Sequence, residues 1–302
     1  MENSTYSYMN VLVTGGAGFI GSHLVEKLVT LGAQVTVLDD LSTGSLENLQ
    51  NVSSQIKFIH GTINNLQTCI AASKQTDIIF HLAAFISVPE SMSNPINCFE
   101  TNVNGTLHLL KAAHLNKSKR VVFSSSSAVY GSVEGTCSEH TNCKPESPYG
   151  HSKLMGELLC RDAVKSSELS AISLRYFNVY GERQNPHGQY AAVVAQFKER
   201  MKLNQPITIY GDGSQTRDFV PVCTVVQANL TSGLLPLATS SFEVFNVGTG
   251  QSITLLQLVE QLKNEFPEFS AGIRFSPARK GDIKQSNADC TKFVRVQKMI
   301  TL

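Results

Sequence analysis

Net charge is nearly absent from this sequence: 25 Lys and Arg stand against 24 Asp and Glu, leaving +1. That excludes a global field drawing the chain to nucleic acid or to an anionic membrane surface, so an anionic ligand must be caught by a few placed cations. Long apolar runs are missing as well. The most apolar stretch, Ile78 to Val88, is interrupted by His81 and too short to cross a bilayer. Met1 to Asn10 has no apolar stretch flanked by basic residues, so no signal peptide is read there. The seven Cys have no regular spacing, which argues against a disulfide framework and for reduced thiols in the cytoplasm. Cys137, His140 and Cys143 offer three soft ligands in a polar stretch, but no fourth is evident and the spacing fits no standard zinc pattern. A plain loop and no metal are expected. Internal repeats and low-complexity linkers are absent too.

What is present is enough apolar material, 42% of 302 residues, for one large α/β domain or two unequal ones. Short β-rich runs at 10–14, 34–39, 57–60, 77–82 and 120–124 alternate with helical patterns at 19–31, 97–115 and 149–165. This is the rhythm of a parallel, doubly wound α/β sheet of Rossmann type with right-handed crossovers. Further strands are read at 172–178 and 242–247 and a further helix at 254–265, around a Pro/Gly-punctuated stretch from Gly181 to Gly213. The expected organisation is a cofactor-binding domain over 1–177, to which a strand at 242–248 returns, and a smaller interleaved substrate lobe over 178–302.

Strand Val11-Leu12-Val13 leads into Thr14-Gly15-Gly16-Ala17-Gly18-Phe19-Ile20-Gly21, followed at once by an amphipathic helix carrying Leu24, Val25, Leu28 and Val29. Gly15 permits a tight turn, Gly18 lets backbone N–H groups approach a pyrophosphate, and Gly21 lets the helix lie close on the sheet. A merely structural Gly-rich turn is the alternative, weakened by the strand before and the helix after. The second strand ends in Asp39-Asp40, where an acid would bond the adenosine ribose and repel a 2′-phosphate; no Arg follows in Leu41-Ser42-Thr43-Gly44. NAD is therefore expected rather than NADP, with Asp39 as a simple strand-end turn residue the competing reading.

Tyr149 and Lys153, four residues apart at a predicted helix start, project on one face. A free phenol titrates near about 10, and making it a base near neutrality requires roughly 4 kcal/mol, which a nearby ammonium and a cationic nicotinamide ring can supply. The run Ser124-Ser125-Ser126-Ser127 follows strand Val121-Val122-Phe123 and places hydroxyls at a strand's carboxyl end, where open α/β sheets bind ligands. Ser126 is the expected partner of Tyr149 in orienting a substrate oxygen. Tyr-x-x-x-Lys spacings are common on helices, so the pair gains its meaning from the glycines and the Ser run.

At these residues the chain resembles the extended short-chain dehydrogenase/reductases, in the nucleotide-sugar 4-epimerase branch. Matching segments are Thr14 to Gly21, His81-Leu82-Ala83-Ala84, Ser87 to Gly105, Phe123 to Gly131, Tyr149 to Lys153, Leu174 to Asn178, Tyr210 to Phe219 and Arg279 to Asp289. The resemblance implies Ser126, Tyr149 and Lys153 as the catalytic trio. For the cofactor it implies, besides the glycines, Phe19, Ile20, Asp39, Asp40, Ser42, Thr43, Gly44, Thr62, Ile63, Leu82, Ala83, Ala84, Asn102, Ser124, Tyr149, Lys153 and Phe177. For a UDP-sugar it implies Ser87, Asn178, Ala192, Val193, Tyr210, Asp282 and Ser286, with Arg217 and Arg279 clamping the diphosphate.

The places where related dehydratases and decarboxylases carry an acid hold Ser127 and Ala128, which favours simple epimerisation. In that reaction, as the resemblance implies, Tyr149 takes the C4 hydroxyl proton while hydride passes to NAD, and the hydride returns to the other face of the 4-keto sugar. Ser286 falls at a size-determining position near C2, and Arg183-Gln184-Asn185-Pro186-His187-Gly188 resembles the loop of enzymes acting on UDP-GlcNAc and UDP-GalNAc. A UDP-N-acetylhexosamine 4-epimerase is expected, with UDP-glucose, UDP-glucuronate or a catalytically silent NAD-binding homologue as alternatives.

Thr62 stands where the family usually has an acid near adenine, Thr224 is expected to cap a following helix, and Val294 to Leu302 does not resemble the usual closing helix. The helix from Tyr149 carries two apolar stripes, Leu154 with Leu158 and Met155 with Leu159 and Ala163, more than one core contact needs. With the helix from Asn97 it suits a four-helix homodimer seam, as the family implies; burial within one subunit is the alternative.

Overall fold

The computed structural model describes residues 6–185, 193–278, 284–298 and 300. Its strands are β1 (Asn10–Thr14), β2 (Gln34–Asp39), β3 (Ile56–His60), β4 (Ile78–His81), β5 (Arg120–Ser126), β6 (Ser170–Tyr176), β7 (Asn178–Tyr180), β8 (Ile207–Tyr210), β9 (Thr216–Pro221), β10 (Phe242–Val247), β11 (Ser252–Thr254) and β12 (Ile273–Ser276). Seven of them form one sheet in the order β10-β6-β5-β4-β1-β2-β3. Every pairing in it is parallel. The chain reverses its direction of travel between β1 and β4, which is where a doubly wound sheet opens a crevice at its carboxyl edge.

The α-helices among the described residues are α1 (Phe19–Thr30), α2 (Leu66–Ala72), α3 (Val88–Ser93), α4 (Pro95–Phe99), α5 (Gly105–Leu115), α6 (Pro148–Lys165), α7 (Val193–Lys202), α8 (Val222–Leu234), α9 (Leu255–Lys263) and α10 (Thr291–Gln297). The alternation of side chains along each strand feeds two cores. Val11, Val13, Val35, Val37, Ile78 and Phe80 pack with Leu24, Val25 and Leu28 of α1 and Val225, Val226 and Leu230 of α8. The residues between them, Leu12, Leu38 and Ile79, point the other way onto Leu109, Ala112 and Ala113 of α5 and Cys160 and Val164 of α6. Both faces of the sheet are thus covered, as an all-parallel sheet requires. A separate core joins α7, β8 and α9 through Phe197, Met201, Ile209, Leu258 and Leu262.

The helix expected over 97–115 is broken: α4 ends at Phe99, and Glu100–Asn104 makes a π turn before α5. The turn carries Asn102, which is 2% exposed and bonds the backbone of Phe85 and the hydroxyl of Ser152. A strictly 3.6-residue pattern gives no sign of that insertion. Thr224 does not cap α8; the N-cap is Pro221, and Thr224 lies inside the first turn. A closing helix does form: α10 sets Phe293 edge-on against Phe245 of β10, with ring centroids 5.5 Å apart. Cys137 is buried rather than in a plain polar loop, and it bridges to Ala288.

Candidate active site

The Gly-rich turn is shaped by two close approaches. Gly15 has a φ of 70°, and a Cβ there would stand 2.6 Å from the Ala83 nitrogen. Gly21 lies against the Gly15 carbonyl, where no Cβ fits. Gly18 is the N-cap of α1 and brings no side chain to the N-terminal amides, and the first turn has no acid. These are the conditions for an anion at a helix N-terminus. Asp39, at the end of β2, accepts from the Ala17 amide at 2.9 Å and from Leu41 at 2.8 Å. Burial raises its carboxyl above the ordinary range, against the pull of those two amides. It therefore braces the turn as well as facing the cleft.

Across the crevice, Ser147 caps α6 by accepting from the Gly150 amide at 3.1 Å, and Pro148 fits the first helical position. The cap presents Tyr149 and Lys153 to the end of β5. Tyr149 and Ser126 both line the cleft, with Ser126 close enough to the phenol to favour its ionised form. Lys153 is 4% exposed, and its Nζ donates to the Ser124 carbonyl at 2.9 Å and stands 5.8 Å from the Tyr149 ring centre. Burial pushes Lys153 down to about 8, and it pushes the Tyr149 phenol up, with only Ser126 lowering it.

His81 sits beneath this pair, its two ring nitrogens 2.8 Å from Thr14 Oγ1 and 2.9 Å from Thr106 Oγ1. Burial, with Lys153 nearby, pushes it down to about 3, so it is a neutral brace linking β1, β4 and α5. Glu157, one turn beyond Lys153, accepts from Ser125 and from Arg175, whose Nε and Nη2 approach its two oxygens at 2.9 and 2.7 Å. Arg175 Nη1 reaches Tyr130 at 3.0 Å, and Tyr130 donates to Asn246 of β10.

One cleft runs from the end of β2 to the α6 pair. Its walls include Gly15, Gly18, Phe19, Ile20, Gly21, Asp39, Asp40, Ser42, Thr43, Thr62, Ile63, Leu82, Ala83, Ala84, Ser124, Ser126, Tyr149, Lys153 and Phe177, all singled out in the sequence. Gly44 and Asn102 are not on its walls: Gly44 lies against Ala17, and Asn102 acts from behind through Phe85 and Ser152. Of the expected substrate residues, Ser87 caps α3 by accepting from Glu90, and Asn178 donates to the Asp218 carbonyl at 3.0 Å. Val193 begins α7 and Tyr210 ends β8. Arg217 lies on β9, and Ser286 bonds to Thr216 and Asp218 on either side of it. None of these six lines the cleft, while Ala192, Arg279 and Asp282 lie outside the described residues. Sequence reasoning missed Ile86, Thr101, Tyr176, Val179 and Gln184, which do line it. Thr101 and Gln184 were within reach of it, being neighbours of Asn102 and Arg183 in segments already singled out.

Residues 11–248 match the NAD dependent epimerase/dehydratase family. The chain belongs to that family. Its cofactor is accordingly NAD, and the glycine turn, the bare α1 N-terminus and Asp39 are of the kind that would hold that dinucleotide. Among relatives, a UDP-glucose 4-epimerase of Mycolicibacterium smegmatis is 38% identical over 94% of this chain and 91% of its own. Among solved structures, a UDP-N-acetylglucosamine 4-epimerase from Methanobrevibacter ruminantium, in complex with UDP-N-acetylmuramic acid, superposes with a TM-score of 0.91 at 37% identity, covering 96% of this chain and 92% of that one. A UDP-glucose 4-epimerase of Thermus thermophilus in complex with NAD gives 0.87 at 35% identity, covering 95% and 92%. Among the described residues no helix is long and apolar enough to cross a membrane.

Proposed function

We propose that this member of the epimerase/dehydratase family is a UDP-hexose 4-epimerase that prefers UDP-N-acetylhexosamines, with Ser126, Tyr149 and Lys153 as its catalytic residues. The observation that carries the reading is the convergence of Ser126, Tyr149 and a buried Lys153, tied to the Ser124 carbonyl, on the wall of one cleft with the glycine turn. NAD held in this cleft would supply the hydride acceptor and donor for sugar C4. Tyr149 takes the C4 hydroxyl proton and later returns it, and Ser126 holds the same oxygen in line. Lys153, tied to the Ser124 carbonyl, fixes the helix turn that carries Tyr149. Residues 1–177 with 242–248 hold the cofactor and residues 178–302 the sugar nucleotide, with α8 returned to the cofactor side because it packs on the sheet.

Support for the acetylated sugar comes from the small Ser286 beside Arg217 and from the likeness to the Methanobrevibacter enzyme. UDP-glucose is the second reading, favoured by the Mycolicibacterium and Thermus relatives. Incubating the protein with UDP-GlcNAc, UDP-Glc and UDP-GlcA, without added NAD, and resolving the C4 epimers tests both. Fastest conversion of UDP-GlcNAc is expected. Conversion of UDP-Glc alone would reverse the preference, and conversion of none would leave a silent NAD-binding protein.

The same reading includes a homodimer. Met92, Ile96, Leu107, Met155 and Leu158 of α3 to α6 are exposed, Ile96 by 82%. The outward stripe of α6 is Met155 with Leu158; Leu154 packs on one core and Leu159 and Ala163 on another. An apolar face spread over packed helices suits a second copy.

A further inference from the structure

We propose that residues 181–185 form a strap that retains NAD in its cleft, and that an ion pair between Arg183 and Glu26 is its clasp. The proposal takes from the reading above only that NAD occupies this cleft.

After β7 the chain crosses α1, the helix whose bare N-terminus opens on the cleft and would receive the cofactor's diphosphate. The Glu182 carbonyl meets His23 Nε2 at 3.0 Å. Arg183 has a left-handed φ of 66°, rare for a residue with a side chain. Its Nη2 donates to both carboxylate oxygens of Glu26 at 2.8 Å. Gln184 then turns inward: its Nε2 donates to the Val179 carbonyl at 2.9 Å, and both residues line the cleft along with Phe19 and Ile20. One side of the strap is therefore a wall of the cofactor's space, while the other is fastened to the outer surface of α1.

Two features make the ion pair decisive. Both carboxylate oxygens of Glu26 are taken by one guanidinium nitrogen, so a single substitution on either side removes both bonds. The Arg183 and Glu26 side chains are only 21% and 24% exposed, unlike a fully solvated surface pair. Burial alone would raise the Glu26 carboxyl, yet the bonds from Arg183 and Asn51 hold it below its ordinary range.

The test loads the protein with NADH and follows loss of bound-cofactor fluorescence on mixing with excess NAD. Arg183→Ala and the near-isosteric Glu26→Gln should each speed release about tenfold, and Glu26→Arg combined with Arg183→Glu should bring it back toward the original rate. Release within twofold of the unmodified protein in both single variants overturns the proposal, as does a charge swap that restores nothing. UDP-sugar conversion measured on the same samples keeps the two readings apart: an unmodified protein that converts no UDP-sugar but loses NADH faster on either substitution sinks the epimerase reading and leaves the strap.

Discussion

Lys153 is pinned to Ser124: its Nζ donates to that carbonyl at 2.9 Å, two residues before Ser126 on the same strand. The bond ties the α6 cation to the strand that carries Ser126. Tyr149→Phe and Ser126→Ala should each reduce kcat by roughly 100- to 10,000-fold, the range for losing a positioned acid-base group. Neither change disturbs the glycine turn, so NAD content should be unchanged. Loss of NAD in the Phe variant would assign the tyrosine to cofactor binding instead.

The same burial makes Lys153 a stability sensor. Its folded-state value of about 8 lies below the ordinary 10.5, so between these limits the unfolded chain binds more protons than the native one. Stability of the NAD-free protein therefore rises with pH across that window as far as Lys153 is concerned, and a penalty of about 3 kcal/mol is fully present below it. Thiols and phenols also titrate there. The measurement is accordingly a difference: urea unfolding of the protein and of Lys153→Met at pH 7 and pH 10. The variant should gain on the original at pH 7 and lose that advantage at pH 10; parallel behaviour at both would mean the lysine is solvated.

The sheet was legible in the sequence because its strands read as apolar runs closed by turns, and because Gly15, Gly18 and Gly21 can be explained together only by a close helix. The α6 pair was legible through its spacing and the Ser run. What stayed hidden arises from tertiary contact. Nothing local in Glu100 to Asn104 signals a π turn, because its reason is Asn102 reaching Phe85 and Ser152. The short helices α2, α3 and α10 have too few residues for a period to show. The opposed shifts of Tyr149 and Lys153 depend on burial from several elements, and spacing along one helix carries no information about that. The Arg183–Glu26 pair joins residues 157 apart in the chain.

Glu157 and Arg175, 4% and 6% exposed, form a buried pair one helical turn from Lys153. Arg175→Met leaves a carboxylate enclosed with Ser125 as its remaining partner and should cost about 3–5 kcal/mol. Urea denaturation at neutral pH reads this directly. A cost under about 1 kcal/mol would show that water reaches Glu157 and that the network does not hold α6 on the sheet.

Gly21 offers a test of the cofactor turn that leaves the catalytic residues alone. A methyl group there runs into the Gly15 carbonyl, which is backbone with no rotamer to yield. Gly21→Ala should push α1 off the turn at about 1–3 kcal/mol and lower NAD affinity by at least about tenfold. Calorimetric titration of the NAD-free variant with NAD measures it; unaltered affinity would mean the dinucleotide does not depend on α1 lying close to this turn.

Ile96 is the most exposed apolar residue on the α3–α6 face, and a single isolated one would need no explanation. Its meaning comes from company: Met92 and Leu107 are exposed on neighbouring helices, and Met155 and Leu158 on α6. If that face meets its own copy about a two-fold axis, one substitution introduces two carboxylates into a seam that excludes water, and desolvating them outweighs the apolar gain. Ile96→Glu should then convert a dimer to a monomer in sedimentation velocity at micromolar concentration, with cofactor content intact because none of these five residues lines the cleft. A protein that sediments as a monomer before the substitution, or a variant that remains dimeric, removes α3–α6 as the contact between copies.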